Sequence, residues 1–222
     1  MKIEIWSDVV CPWCYIGTRR LERALEGFAH RDEVEVVYRS FELDPSAPAV
    51  PEGTVVEMLA RKYAGGDVAA ARQMIERTDA VAAEEGLEFH HADAPHVRTV
   101  DAHRLLHLAL DESGPQTQRA LKLELLAAYF TCAENVADPD VLRAAAARAG
   151  LDAARVDGVL AGDEYAGAVQ HDVEEARALG ANGVPFFVLD RRYGVSGAQP
   201  VEVLTQALEQ AWDAEVSPRR AE

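Results

Sequence analysis

The sequence predicts an α/β fold in which a small sheet is split by a long, all-helical insertion. Three observations carry this. Runs of strand-forming residues cluster near the two ends of the chain, at residues 2 to 7, 34 to 41 and 184 to 196. Between about residue 54 and residue 179 almost every segment has helical periodicity with written boundaries. A Cys-x-x-Cys, Cys11-Pro12-Trp13-Cys14, stands between the first strand and the first helix.

Residues 2 to 7, with Ile3 and Ile5, read as a buried strand. Residues 12 to 29 read as an amphipathic helix: Ile16, Leu21, Leu25 and Phe28 are apolar, while Arg19, Arg20, Glu22, Arg23 and Glu26 are polar. Pro12 suits its opening turn. Val34 to Phe41 gives a second strand, and Asp44 to Pro51, with three prolines, a loop. Thr54 to Glu57 fits a capping box, and Gly65 can stop that helix. Asp67 can cap a helix ending near Gly86. Thr99 or Asp101 opens a helix ended by Gly114, and Pro115 begins another through Phe130. Further helices are expected from Asp138-Pro139 to Gly150, from Asp152 to Gly162 and from Asp163 to Gly180. Val184 to Asp190 and Tyr193 to Ser196 form a hairpin turned at Asp190-Arg191-Arg192. Pro200 opens a last helix, with a charged tail expected to fray from Ser217.

The order is therefore β-α-β, a block of helices, then α-β-β-α, which is the layout of a thioredoxin-like sheet. We assign residues 1–45 and 180–222 to that thioredoxin-like domain. Residues 46–179 form the inserted helical domain, whose last helix is expected to pack on the sheet.

The chain has 222 residues and is 49% hydrophobic, enough for a well-formed core. Its formal net charge of -16 argues against nucleic acid and against an anionic membrane surface as partners. The N-terminus lacks the apolar segment of a signal peptide, and no run approaches the roughly 20 apolar residues of a membrane span. A cytoplasmic location is expected, where disulfides are mostly transient and catalytic. Three cysteines cannot all pair within one chain, so a disulfide scaffold is excluded. The oligomeric state stays open between monomer and homodimer.

Disulfide exchange needs a thiolate, and a helix N-terminus favours one. Cys11, just before the helix, is expected to be the exposed, low-pKa attacking thiol. Cys14, one turn further in, is expected to be shielded and to resolve the mixed disulfide. Trp13 offers an apolar surface without adding charge. Half of a zinc site is the competing reading, but only Cys132 and scattered histidines could complete four ligands, so no metal is expected. Val184-Pro185, between Gly183 and Phe186-Phe187, fits the cis-proline turn that packs beside the cysteines in thioredoxin-like sites.

The motifs SDxxCPWCYIG-x-RRLExAL, RSFELDP, DAHRLL, GVPFFV and YGVSGAQP occur in this order over nearly the whole chain. Together they resemble the FrnE-type members of the DsbA-like thioredoxin-fold oxidoreductases. The resemblance implies dithiol–disulfide oxidoreductase or isomerase activity on protein or small-molecule thiols and disulfides, with no metal. It implies Cys11 as nucleophile, Cys14 as resolving thiol and Pro185 as cis proline with Val184 before it. Substrate is expected beside Pro12, Trp13, Val184 and Phe186. The family's AHRL segment places His103 and Arg104 toward the cleft. Where the family often has Asn-Thr, this chain has Arg98-Thr99.

Other residues carry two readings each. Asp8 either moves protons to or from Cys14 or simply caps the loop, and we favour the cap or a solvated role. Cys132 is expected to be buried and inert, and His103 and His107 to lie on a helix surface. Ser196 and Gly197 lead into a helix N-terminus that could hold an anion or be only a turn. Two functions compete with dithiol exchange. One is a glutathione-dependent isomerase or transferase like 2-hydroxychromene-2-carboxylate isomerase and the kappa-class glutathione transferases, which usually carry Ser at the position of Cys11. Glutathione would then be a co-substrate; otherwise no cofactor is expected. The other is a redox-sensing or holdase-like binding module.

Overall fold

A computed structural model describes residues 1–219. Four strands form one mixed sheet: β1 (Lys2–Ser7), β2 (Glu35–Ser40), β3 (Phe186–Leu189) and β4 (Tyr193–Ser196), in the order β2-β1-β3-β4. β1 pairs parallel to β2 and antiparallel to β3, and β3 pairs antiparallel to β4. Eight helices are described: α1 (Pro12–Glu26), α2 (Val55–Tyr63), α3 (Val68–Glu84), α4 (Val100–Phe130), α5 (Pro139–Arg148), α6 (Ala153–Ala161), α7 (Ala166–Ala178) and α8 (Val201–Arg219). This is the thioredoxin fold, mostly helical, with the helical block standing between its two halves.

β1 is central because it is apolar on both faces. Ile3 and Ile5 point to α1 and α8, where they meet Leu21, Phe28, Phe187, Leu204 and Leu208. Trp6 points the other way, to Ala176 of α7 and to Phe186 and Val188. Its indole N–H donates to the Asp172 carbonyl at 2.8 Å, so α7 is held against the sheet. Glu4 shares the Trp6 face and is 2% exposed. Burial alone would raise its pKa, but Arg191 and Arg39 bind its carboxylate and hold it below the usual range.

The outer edge of β2 would be a row of unpaired backbone groups. Gln118 of α4 covers it. Its side-chain carbonyl accepts from Tyr38 N–H at 2.9 Å, and its amide donates to the Tyr38 carbonyl at 2.8 Å. Asp172 of α7 accepts from Ser40 N–H at 2.8 Å. The inserted helices thus finish the sheet.

The expected boundaries hold with local shifts. Thr54 and Glu57 form the reciprocal capping box, and Asp67, Asp138 and Asp152 each cap a helix. The two helices expected around Gly114-Pro115 are one long element broken at Gly114, whose φ is +83°. α1 stops at Glu26 rather than at residue 29, where Gly27 closes it. α7 starts at Ala166 rather than Asp163, because Tyr165 takes a left-handed φ of +65°. β3 starts at Phe186, since Val184 and Pro185 belong to the turn. The tail expected to fray from Ser217 is helical through Arg219, and its remainder, residues 220–222, lies outside the described residues.

Gln118→Leu is expected to leave both Tyr38 groups buried and unpaired, at a cost of roughly 1–3 kcal/mol for each. A fall in the urea midpoint without a change in slope is the expected result.

Candidate active site

Cys11 is the N-cap of α1, with Pro12 in the first turn. The Cys11 carbonyl accepts from Cys14 N–H at 3.0 Å, and its sulfur lies 3.7 Å from the Val184 carbonyl, to which the thiol donates. The Val184–Pro185 peptide bond is cis. Gly17 sets how closely this turn approaches α1: a Cβ there would stand 2.9 Å from Pro185 Cγ and 3.3 Å from Phe187 Cζ. Gly197 N–H donates to the Pro185 carbonyl at 2.8 Å, and Arg20 holds the Ala198 carbonyl at 2.7 Å.

Cys11 and Cys14 are free thiols and both are buried, at 3% and 0% exposure. The exposure expected for Cys11 is therefore not seen, because the Val184 carbonyl lies over its sulfur. Burial raises the Cys14 pKa well above the ordinary thiol value, and the neighbouring Cys11 sulfur adds to this. Trp13 is 42% exposed beside them.

Asp8 caps the loop after β1, as expected, but not in solvent. Its exposure is 1%. It accepts from Val9 N–H at 2.7 Å and Leu43 N–H at 2.8 Å, and its Oδ1 lies 3.2 Å from His103 Nε2. Burial would raise its pKa, but the His103 bond and charge, the Leu43 N–H and Lys122 outweigh that, and the carboxyl is held low.

A cavity of about 220 Å³ opens beside Pro12 and Asp8. α2 supplies an apolar wall of Val55, Met58 and Leu59, and Lys62 and His96 bring nitrogen groups to it. Thr99 lines it, whereas Arg98 is exposed and turns to Asp101 at 3.4 Å.

Several expected residues lie elsewhere. Arg104 is buried and donates to the carbonyls of Val159, Gly162 and Glu164, so it ties down the end of α6 rather than facing substrate. His103 is fully buried against Asp8. His107 is half-buried, 3.0 Å from Ser40 Oγ and 3.1 Å from Asp172, so neither histidine is on the surface. Phe186 is 8% exposed and packs toward Trp6, with ring centroids 6.2 Å apart. Cys132 is exposed rather than buried, because α4 ends at Phe130 and Cys132 lies in the turn beyond it. Ser196 ends β4 and Gly197 follows with φ +80°, bonded to Pro185. Among the described residues no three His, Cys, Asp or Glu side chains gather as metal ligands. The sequence reading missed Lys122 of α4. It is fully buried, and its one signal is a lysine one turn beyond Gln118 on an otherwise apolar stripe.

Residues 2–209 match the family model described as a DSBA-like thioredoxin domain. The crystal structure of a probable DsbA oxidoreductase, SCO1869, from Streptomyces coelicolor is 50% identical, with a TM-score of 0.88 over 96% of this chain and 90% of that one. The cytosolic disulfide reductase DsbM from Pseudomonas aeruginosa, solved with GSH, is 17% identical, with a TM-score of 0.65 over 99% of this chain and 100% of that one. A 2-hydroxychromene-2-carboxylate isomerase is 12% identical, with a TM-score of 0.69 over 97% of this chain and 98% of that one. The last two likenesses are of fold.

Asp8→Asn is expected to cost roughly 1.5–3 kcal/mol at neutral pH, the range for hydrogen bonds to a charged group. A carboxyl whose pKa is depressed in the folded state stabilises above its unfolded value and loses that contribution as pH falls through its folded value. The gap between native protein and variant, read by thermal unfolding, is therefore expected to close as pH drops below about 3.8.

Proposed function

The chain belongs to the DSBA-like thioredoxin domain family, whose members are generally thiol–disulfide oxidoreductases, and on that premise we propose that it is a thiol–disulfide oxidoreductase or isomerase working through Cys11 and Cys14. The observation that carries the reading is the pair itself. Cys11 stands at the N-cap position of α1 with its thiol on the Val184 carbonyl, and the second sulfur is buried one turn behind it. A helix N-terminus favours negative charge, so the Cys11 thiolate attacks the substrate disulfide. Cys14 then attacks Cys11 and releases the reduced substrate. Pro185 and the Val184 backbone face an extended substrate segment. Pro12, Trp13 and the cavity beside them receive its side chains, and Ser196 and Gly197 border the same turn. Phe186 supports the turn from below.

The substrates are protein or small-molecule thiols and disulfides, no metal or bound cofactor takes part, and the reaction belongs to the cytoplasm. No described helix is long and apolar enough to cross a membrane.

A second reading makes the protein a glutathione-dependent isomerase or transferase. The cavity of about 220 Å³ beside Pro12 favours it, although Lys62 and His96 on its wall are held by Asp44, at 3.9 and 3.4 Å, which a glutathione carboxylate would displace. The second cysteine favours the first reading, because an enzyme that only activates the thiol of glutathione has no use for a resolving thiol.

Cys11→Ser is expected to abolish insulin reduction and refolding-oxidase activity, whereas Cys14→Ser accumulates mixed disulfides visible by mass spectrometry. Full activity in Cys11→Ser, together with tight glutathione binding, would overturn the first reading. The reduction potential of the couple gives the direction of flow: near about -270 mV the protein is a reductant, near about -120 mV an oxidant.

A further inference from the structure

Lys122 is a lysine with no access to solvent and no hydrogen-bond partner for its Nζ. It sits one turn after Gln118, on the α4 face that covers β2, with Nζ 5.8 Å from the centroid of the Tyr38 ring. Tyr38 in turn faces Thr18, one turn beyond Cys14 on the inner side of α1. α4 and α1 therefore enclose a small polar core from opposite sides. The titratable groups around Lys122 are Cys11 and Cys14 from α1, Asp8 from the end of β1 and Tyr38 from β2. From α4 itself, Tyr129 and His103 reach the same core through Asp8.

An unpaired ammonium group in such a place is costly, and an apolar side chain of the same length would fill the space. Asp8 offsets part of that cost through space, but its oxygens are bonded to His103 and two backbone N–H groups and make no hydrogen bond to Nζ. The groups that would raise the charge on Lys122 are Cys14 first, then Asp8, then Cys11. Burial disfavours the charge on Lys122 and on Cys14 alike, and the attraction between the two opposite charges offsets part of that cost for each.

We propose that Lys122 is the positioning cation for Cys14: its ammonium group stabilises the buried Cys14 thiolate through space and so sets the rate at which the mixed disulfide is resolved. This rests on the dithiol-exchange reading above. In the step, the Cys14 S–H bond breaks and its thiolate attacks the Cys11 sulfur. The bond from Cys11 to the substrate sulfur breaks, and the electron pair leaves with that sulfur, which takes up a proton. Cys11 and Cys14 are thereby oxidised to a disulfide and the substrate half is reduced to a thiol. No further oxidant is needed. Since Nζ has no hydrogen-bond partner, Lys122 acts by its charge and not by direct proton transfer.

The test uses the reduced full chain carrying Cys132→Ser, which removes the exposed third thiol, mixed rapidly with DTNB. Attack by Cys11 releases one thionitrobenzoate, and resolution by Cys14 releases a second. In Lys122→Met, or in Lys122→Gln where the first does not fold, the second phase is expected to slow about tenfold. Its pH midpoint is expected to rise by about one unit, the shift equivalent to that factor. The first phase is expected to keep its rate within about threefold, and Lys122→Arg to keep both phases. A second phase with native rate and midpoint in the folded uncharged variants overturns the proposal, because a purely structural lysine would lower stability without moving that midpoint. Loss of the first phase from the Cys132→Ser parent would instead overturn the dithiol-exchange reading.

Discussion

Tyr38 exchanges both outward backbone hydrogen bonds with the Gln118 side chain, and the relation between the helical block and the sheet depends on that pair. An edge strand left open could accept another chain, and an inserted domain tethered only by loops would sway. One amide side chain meets both problems because its donor and acceptor have the spacing of a peptide group. With Asp172 doing the same for Ser40, α4 and α7 are fixed against the strand that runs beside β1.

Much of this fold was legible in the sequence because its signals are local. The capping box at Thr54, the aspartate caps at Asp67, Asp138 and Asp152, and the Gly114-Pro115 break mark helix ends within four residues of chain. The cysteine pair and the proline turn were legible for the same reason. What failed depends on contacts between distant segments. Arg104 lies in a family motif, yet its guanidinium is committed to carbonyls at the end of α6. His103 and His107 fit a helix surface by spacing, but Asp8 and Asp172 approach from other elements and draw them inward. Cys132 looked buried because Tyr129 and Phe130 precede it, but the helix ends between them.

The polar groups behind the cysteines form a second layer that periodicity does not reveal. Asp8, His103 and Lys122 come from two elements about 95 residues or more apart in the chain, and all three are closed to solvent. The helical block contributes two of these three groups, and one of them, Lys122, partly offsets the rise that burial imposes on the Cys14 pKa.

Gly17 adds a mechanical consequence. With Pro185 and Phe187 pressed onto the bare Cα of α1, the two halves of the site meet backbone against ring, without a flexible side chain between them. Segments separated by most of the chain are thereby held at a spacing with little tolerance. Any breathing of the cleft must come from the α2 side, where the wall is built of Met58, Leu59 and Lys62, long side chains that can yield. The protein thus pairs a rigid jaw at the sulfur chemistry with a compliant one where the rest of a substrate would lie.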